Sequence, residues 1–249
     1  MNVLELFSGT HSVGKICDEL GWECISVDNT MSATYEVDIM DFDYKMYPKG
    51  YFDIIWGSPP CQTFSKVRDV WIGRKTSHFG DKVITSEMLY DDMIQNGVPL
   101  LNRLLEIINY HKPKFYFIEN PATGKMKNYV PDTMPFYIVD YCKYANWGYK
   151  KRTQIWTNIK GFQPKVCDKN TPCDQIITIN TQEGDKHGGG GKLIKAGTRT
   201  LHRAPLCNGR KCKSIKKYLN SDVIPLIQKK EERYRIPPEL IRDLLISCL

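Results

Sequence analysis

The chain has 249 residues, of which 41% are hydrophobic and 25% charged, and a formal net charge of +7. That balance belongs to a globular protein and excludes disordered and collagen-like chains. No apolar run approaches the ~20 residues needed to cross a bilayer. The start, MNVLELFSGT, has no basic region, long apolar stretch or small-residue cleavage site of a secretory signal. The expectation is an intracellular protein with no membrane partner, built as one large domain or one core with a smaller satellite.

Asn2–Phe7 (NVLELF) is a short apolar strand that stops at Ser8-Gly9-Thr10. Ser12–Leu20 has helical periodicity and is closed by Gly21, the residue type that ends helices in a left-handed conformation. Glu23–Val27 is a second strand closing on Asp28. Tyr51–Trp56 is a third, cut by Gly57-Ser58-Pro59-Pro60, where neither helix nor strand continues. Residues 62–95 are polar and weakly periodic, a pattern that predicts a mobile loop with a short helix. Val98–Tyr110 repeats apolar side chains every 3.6 residues, Lys112-Pro113 ends it, and Lys114–Ile118 is another strand. Tyr137–Trp156 reads as paired strands turning at Asn146-Trp147-Gly148. Residues 160–215 are loop-rich, with Gly188–Gly191 as a flexible tract, and Pro237–Leu249 is a last helix introduced by two prolines.

Short buried strands alternating with helices predict an α/β fold with a mostly parallel, doubly wound sheet. Ligands bind such sheets beyond the carboxyl ends of the strands, which makes those ends the informative places.

The Gly-rich turn Phe7-Ser8-Gly9-Thr10 lets a ligand approach the backbone, and the helix that follows offers free N–H groups. Asp28 ends the second strand about twenty residues on, where an acid accepts a ribose hydroxyl pair. Asp38 suits the adenine side of the same ligand. Cys61, after two prolines at a strand end, projects into the same crevice as a candidate nucleophile, and needs nearby N–H groups or cations to ionise. Glu119 ends the apolar strand Phe115–Ile118 beside Asn120 and Pro121, a setting that suits a carboxyl group to carry and donate a proton.

Gly57-Ser58-Pro59-Pro60-Cys61-Gln62-Thr63-Phe64-Ser65, with Phe7-Ser8-Gly9 before it and Ile118-Glu119-Asn120 after it, resembles the DNA cytosine-5 methyltransferase family. The resemblance covers roughly the first half of the chain and a shorter stretch around residues 141–158, and is similar to that of short viral and phage-type members. It implies a Rossmann-like sheet that binds S-adenosylmethionine, with a small loop-rich target-recognition segment. Cys61 matches the nucleophile that adds to C6 of cytosine, and Glu119 the acid that protonates N3. Phe7, Gly9, Thr10, Asp28, Asp38 and Pro59 fall in the cofactor-contacting segments. An enzyme that works on a base edge extrudes it from the stack, so the implied partner is double-stranded DNA with a flipped cytosine. The same chemistry on RNA, and a silent nucleic-acid-binding relative, are the alternative readings.

In Gly148-Tyr149-Lys150-Lys151-Arg152-Thr153 the basic residues fall where the family carries a Gln-x-Arg-x-Arg segment. The Gln is absent; Arg152 is the first choice to hold the base O2, and Lys150 the second. The Gly-Asn-Ser that usually precedes the last helix is replaced by Arg235-Ile236-Pro237-Pro238. The implied organisation is a catalytic domain over residues 1–158, a basic recognition region over 159–235, and a helix over 236–249 that returns to the catalytic domain.

The charge agrees with that division. Residues 1–150 carry 15 Lys+Arg against 19 Asp+Glu, whereas residues 151–235 carry 19 against 7. Such a basic segment is a natural polyanion contact through counterion release. Trp147, Tyr149 and Trp156 beside Lys150, Lys151 and Arg152 can stack on bases, although hairpin aromatics more often fill a core.

Nine cysteines in a chain without an export signal predict reduced thiols rather than disulfides. Cys17, Cys24 and Cys142 read as buried apolar residues. Cys167-x5-Cys173 and Cys207-x4-Cys212, with His187 and His202 between the pairs, suggest a structural zinc that staples a segment with little core of its own.

Overall fold

The computed structural model describes residues 1–147, 149–174, 176–181, 186–187, 192–193, 197–202 and 234–249. Six strands form one sheet: β1 (Asn2–Leu6), β2 (Glu23–Val27), β3 (Ile54–Gly57), β4 (Phe115–Pro121), β5 (Phe136–Asp140) and β6 (Arg152–Thr157), in the order β2-β1-β3-β4-β6-β5. β2, β1, β3 and β4 pair in parallel, while β6 runs antiparallel to both β4 and β5. The four parallel strands are near-continuous apolar runs because helices cover both faces.

One face carries α1 (Ser12–Leu20) and α4 (Pro238–Ile246), whose Val13, Ile16, Leu240, Ile241 and Leu244 pack on Val3, Trp56 and Phe117. The other face carries α3 (Val98–His111), whose Leu101, Leu104 and Ile107 pack on Leu4, Ile55 and Ile118. The helices and strands predicted from sequence therefore lie where the periodicity places them, with ends shifted by a few residues. Residues 62–95 hold more order than a loop: 3-10 turns at Lys66–Trp71 and Ser77–Phe79, then α2 (Ser86–Asp92), which runs through a π-turn at Met93–Gly97 into α3. Thr85 caps α2, its hydroxyl accepting from Met88 N.

Ile159 and Phe162 belong to the same core as α4, so the packed body continues beyond β6. Further on, β7 (Ile176–Thr181) pairs antiparallel with β10 (Gly197–His202), and β8 (Lys186–His187) with β9 (Lys192–Leu193). Cys207, Cys212 and most of residues 159–235, the stretch expected to recognise the target, lie outside the described residues. Among the described residues no helix is long and apolar enough to cross a membrane.

The switch point of the sheet is at β1, with β2 on one side and β3 on the other. The crevice beyond the carboxyl ends of these strands is where a doubly wound sheet takes its ligand.

Candidate active site

β1 ends at Leu6 and the chain reverses through Phe7, Gly9 and His11, with φ of 58°, 51° and 55°. Two of the three are not glycine, which marks a turn held by its surroundings. The holding group is Glu5. Its buried carboxylate reaches from β1 to the start of α1, where Oε1 accepts from Val13 N at 3.0 Å and Oε2 from Gly14 N at 3.1 Å. His11 Nδ1 lies 2.9 Å from Oε2. The hydrogen bond to Glu5 raises the His11 pKa above the ordinary value, against the effect of burial. The imidazole covers Gly14, where a Cβ would stand 1.9 Å from the ring. The N–H groups expected to be free at this helix start are thus taken. The chain's own carboxylate occupies the place where dinucleotide-binding folds seat a pyrophosphate.

At the end of β2, Asp28 ties the next turn to the first. Its Oδ1 accepts from Thr30 N (2.8 Å), Thr30 Oγ1 (2.9 Å) and Met31 N (2.9 Å), and its Oδ2 accepts from Gly9 N at 2.8 Å. Asp38 is held in the same manner, by Met40 N on Oδ1 and Asn29 Nδ2 on Oδ2, both at 2.9 Å. Each oxygen that takes a single hydrogen bond keeps a lone pair for an incoming hydroxyl or amine.

These groups line a cavity of about 510 Å³, within the ordinary range for small-molecule sites. Phe7, Gly9, Asp28, Asp38 and Pro59, residues expected to contact a cofactor, all lie on its wall. Thr10 does not; its hydroxyl pairs with Ser12 Oγ at 2.9 Å.

The same cavity extends to Cys61, Glu119 and Lys151. Pro59 and Pro60 stop β3 short, and the buried amide of Asn120 donates to the Pro59 carbonyl at 2.9 Å, fixing this turn against the end of β4. Cys61 is half-buried. Burial pushes its thiol above the ordinary range, Lys151 pulls it down and the Glu119 charge pushes it up. Glu119 is buried and accepts the Tyr141 hydroxyl on Oε1 at 2.8 Å. Lys151 Nζ stands 3.6 Å from that oxygen and 4.7 Å from the Tyr141 ring centre. One cation therefore faces both the thiol and the carboxylate.

Arg152 does not reach this cavity. Its guanidinium forks onto fully buried Asp140, Nε to Oδ1 at 3.0 Å and Nη2 to Oδ2 at 2.7 Å, across the β5–β6 register that sets the two residues opposite each other. Lys150 also turns to Asp140, at 3.4 Å. Alternate residues of an extended chain point to opposite faces. Lys151, between the two residues expected here from sequence, is therefore the one that faces the site.

Sequence reasoning also missed the segment that closes the cavity. Tyr234 and Ile236, just before α4, join its lining. Gln62 Nε2 donates to Tyr234 Oη at 2.8 Å and Ile236 N to Ser12 Oγ at 3.3 Å, while the Arg235 guanidinium lies 4.0 Å over the Trp147 ring. Tyr234 thus reaches the turn after Cys61, and Ile236, within the stretch expected to stand in place of Gly-Asn-Ser, reaches the start of α1.

The aromatics are structural. Trp156 and Tyr149 are buried, Trp147 stacks on Tyr149 with centroids 5.8 Å apart, and Trp147 packs against the core. Cys167 and Cys173 do come together, and the partner they meet is Cys142, read from sequence as an ordinary buried residue; the three ligand atoms lie within 4.8 Å of one another.

Residues 1–128 match the family model described as "C-5 cytosine-specific DNA methylase". The chain is 38% identical over 254 residues to the "Probable DNA (cytosine-5)-methyltransferase" of Frog virus 3 (isolate Goorha), with all of both chains covered. The chain belongs to the C-5 cytosine-specific DNA methylase family. Methyl transfer to cytosine is the activity of that class. Among solved structures it is similar to the Entamoeba histolytica methyltransferase EhMeth, at 12% identity over 100% of this chain and 97% of that one, TM-score 0.43. The "putative DNA modification methyltransferase encoded within prophage Cp" of E. coli matches at 15% identity, over 76% and 62% of the two chains, TM-score 0.40.

Proposed function

We propose that this protein transfers a methyl group from S-adenosylmethionine to C5 of cytosine in double-stranded DNA, acting on a base turned out of the helix. The observation that carries the reading is that one cavity holds Cys61, Glu119 and Lys151 at one end and the carboxylates of Asp28 and Asp38 at the other.

The cofactor end fits a nucleoside without phosphates. Glu5 fills the anion position at α1, while Asp28 Oδ2 keeps a lone pair for a ribose hydroxyl. Asp38 is assigned to the adenine amine, and Phe7, Gly9 and Pro59 to the faces of the nucleoside. When bound there, S-adenosylmethionine supplies an electrophilic methyl group.

The chain's own residues do the rest. Cys61 Sγ, as thiolate, adds to C6 of the base; the S–C6 bond forms as the C5–C6 double bond opens. Glu119 gives its proton to N3, so the displaced electron pair becomes available at C5 instead of building up as charge on the ring. Lys151 favours the thiolate before addition and the Glu119 carboxylate after proton transfer. After methylation, solvent water takes the C5 proton, the C5–C6 double bond re-forms as the S–C6 bond breaks and Cys61 leaves as thiolate, and N3 returns its proton to Glu119. The Tyr141 hydroxyl orients Glu119 throughout.

Arg152 is assigned to positioning: by locking Asp140 it sets the start of β6 and with it Lys151. The basic stretch 159–235 is assigned to the DNA phosphates, residues 1–158 to catalysis and 236–249 to closing the cofactor end. A cellular compartment that holds DNA is the implied location.

The test is incubation with tritiated S-adenosylmethionine and either duplex DNA or tRNA. Label recovered as 5-methylcytosine in DNA is expected. Label confined to tRNA moves the assignment to RNA, and label in neither overturns it.

A further inference from the structure

Residues 163–175 read Gln-Pro-Lys-Val-Cys-Asp-Lys-Asn-Thr-Pro-Cys-Asp-Gln, a stretch with hardly any apolar side chains of its own. Its contact with the rest of the fold is nevertheless specific. Asp140 N donates to Lys165 O at 3.1 Å, Cys167 N donates to Asp140 Oδ2 at 2.8 Å, and Lys143 Nζ donates to Pro172 O at 3.0 Å. Between the cysteines the chain is turned back by Asp168, whose Oδ1 accepts from Asn170 N and Thr171 N, both at 2.8 Å, while Thr171 Oγ1 donates to Val166 O at 2.9 Å. The result delivers Cys167 and Cys173 to one point.

At that point stands Cys142, from the helical turn Tyr141–Lys143 that follows β5. The three cysteines are buried and form a small cluster of their own, separate from the two main cores; among the described residues Ile176 is the one partly buried apolar neighbour packed against it. So small an apolar cluster makes a poor hydrophobic anchor, since the surface it buries does not offset the entropy lost in ordering the backbone of the loop. Three sulfurs within 4.8 Å of one another make a good metal clip. Sulfur donors at ~2.3 Å around a tetrahedral ion stand somewhat under 4 Å apart, a separation this cluster reaches with small side-chain adjustments.

We propose that Cys142, Cys167 and Cys173 bind one zinc ion, which fastens the entry of the basic region to the β5–β6 edge of the catalytic sheet. Three thiolates favour a soft, redox-inert divalent ion over calcium or magnesium, which take oxygen. They fill three of the four tetrahedral positions and leave the fourth to a water or other donor. The three thiols release their protons as the ion binds, and Lys150 and Arg152 stand beside the Cys167 carbonyl to balance the charge gained. The clip is also mechanically joined to the active site: the Cys167 amide and Arg152 share the Asp140 carboxylate, and Tyr141 N, next to Cys142, donates to Lys151 O at 3.1 Å.

The experiment uses the full chain, stripped with a strong chelator and titrated with cobalt(II) as a spectroscopic substitute for zinc. A sulfur-to-cobalt charge-transfer absorption that saturates at one equivalent and disappears on adding zinc is expected. Cys142→Ser, Cys167→Ser and Cys173→Ser should each lose or weaken the band, and Cys248→Ser, in the other core, should keep it. Because a serine variant can fail for want of folding, the stripped wild type is melted with and without zinc; an upward shift in Tm on adding zinc is expected. No band in the folded wild type, a band unchanged in all three variants, or a disulfide between two of these cysteines by mass spectrometry overturns the proposal. None of these readouts depends on methyl transfer.

Discussion

Lys151 Nζ lies 3.6 Å from Glu119 Oε1, at the point where the β4 and β6 ends meet the turn that carries Cys61. A cation in this place lowers the thiol of Cys61, which burial alone holds high, and it does so beside the carboxylate that works against that effect. The balance of burial and these two charges, not the cysteine by itself, sets how much thiolate is present at neutral pH.

Lys151→Met should therefore raise the Cys61 pKa further. The sign is fixed by losing a positive charge next to a group that becomes negative. The pH-rate profile for alkylation of Cys61 by iodoacetamide should move to higher pH, and methyl transfer should fall by roughly tenfold or more, the size of one charged interaction lost from a buried site. Lys151→Arg should restore much of the profile. An unmoved alkylation curve in the methionine variant would exclude Lys151 from activating the thiol.

Arg152→Ala should act by a different route. It leaves the fully buried Asp140 with Lys150 and the Cys167 amide alone, at a cost of about 1–3 kcal/mol in urea unfolding, while the alkylation profile of Cys61 moves less than in Lys151→Met, because the Lys151 charge is kept and only its placement is loosened. Burial opposes the Asp140 charge, but Arg152, the Cys167 amide and Lys150 outweigh it and hold the carboxyl below its usual range. Its contribution to stability is thus present above about pH 4, the ordinary Asp value, and is lost as pH falls through the lower folded value. The alanine variant should show a shallower acid dependence than the wild type.

These two neighbours show what is legible in the chain and what is not. Cys61 follows Pro59 and Pro60, and Glu119 ends an apolar run; local sequence fixes where both strands stop, so both residues can be assigned to the crevice from sequence alone. Lys150, Lys151 and Arg152 are three adjacent basic residues, and which one faces the site depends on strand register against β5, a tertiary fact with no local mark. Cys142 is opaque for a similar reason, since the turn in which it sits meets Cys167 and Cys173 only after β6 has been laid down. Glu5 is hidden by type: an acid within a buried strand gives no sign that it caps the helix after it.

The Glu5–His11 pair supplies a further pH signature. The folded pKa of His11 is raised, first by its hydrogen bond to Glu5, so the pair's contribution is fully present below the unfolded value near 6.5 and is lost as pH rises through the folded value. Thermal melts of the wild type and His11→Gln should differ most at pH 5–6 and converge in the alkaline range. A difference that is the same at every pH would mean that the imidazole acts by shape alone.

Tyr141→Phe tests the support of Glu119. Removing a hydroxyl that donates to a buried carboxylate should cost about 1–3 kcal/mol of stability. It should also lower kcat with little change in the KM for S-adenosylmethionine, since Tyr141 is not among the residues lining the cofactor end of the cavity. A change confined to that KM would place Tyr141 in the wrong role.

The most direct measurement is a covalent trap. Duplex DNA carrying 5-fluorocytosine has no C5 proton to lose, so the Cys61–C6 bond, once formed and followed by methylation, cannot be released. With S-adenosylmethionine present, mass spectrometry of the digested protein should find the modified base on the peptide that holds Cys61, and Cys61→Ser should give neither adduct nor methylated product on ordinary DNA. Methylation of cytosine by Cys61→Ser, or a trapped base on any other residue, would contradict the proposed chemistry at its centre.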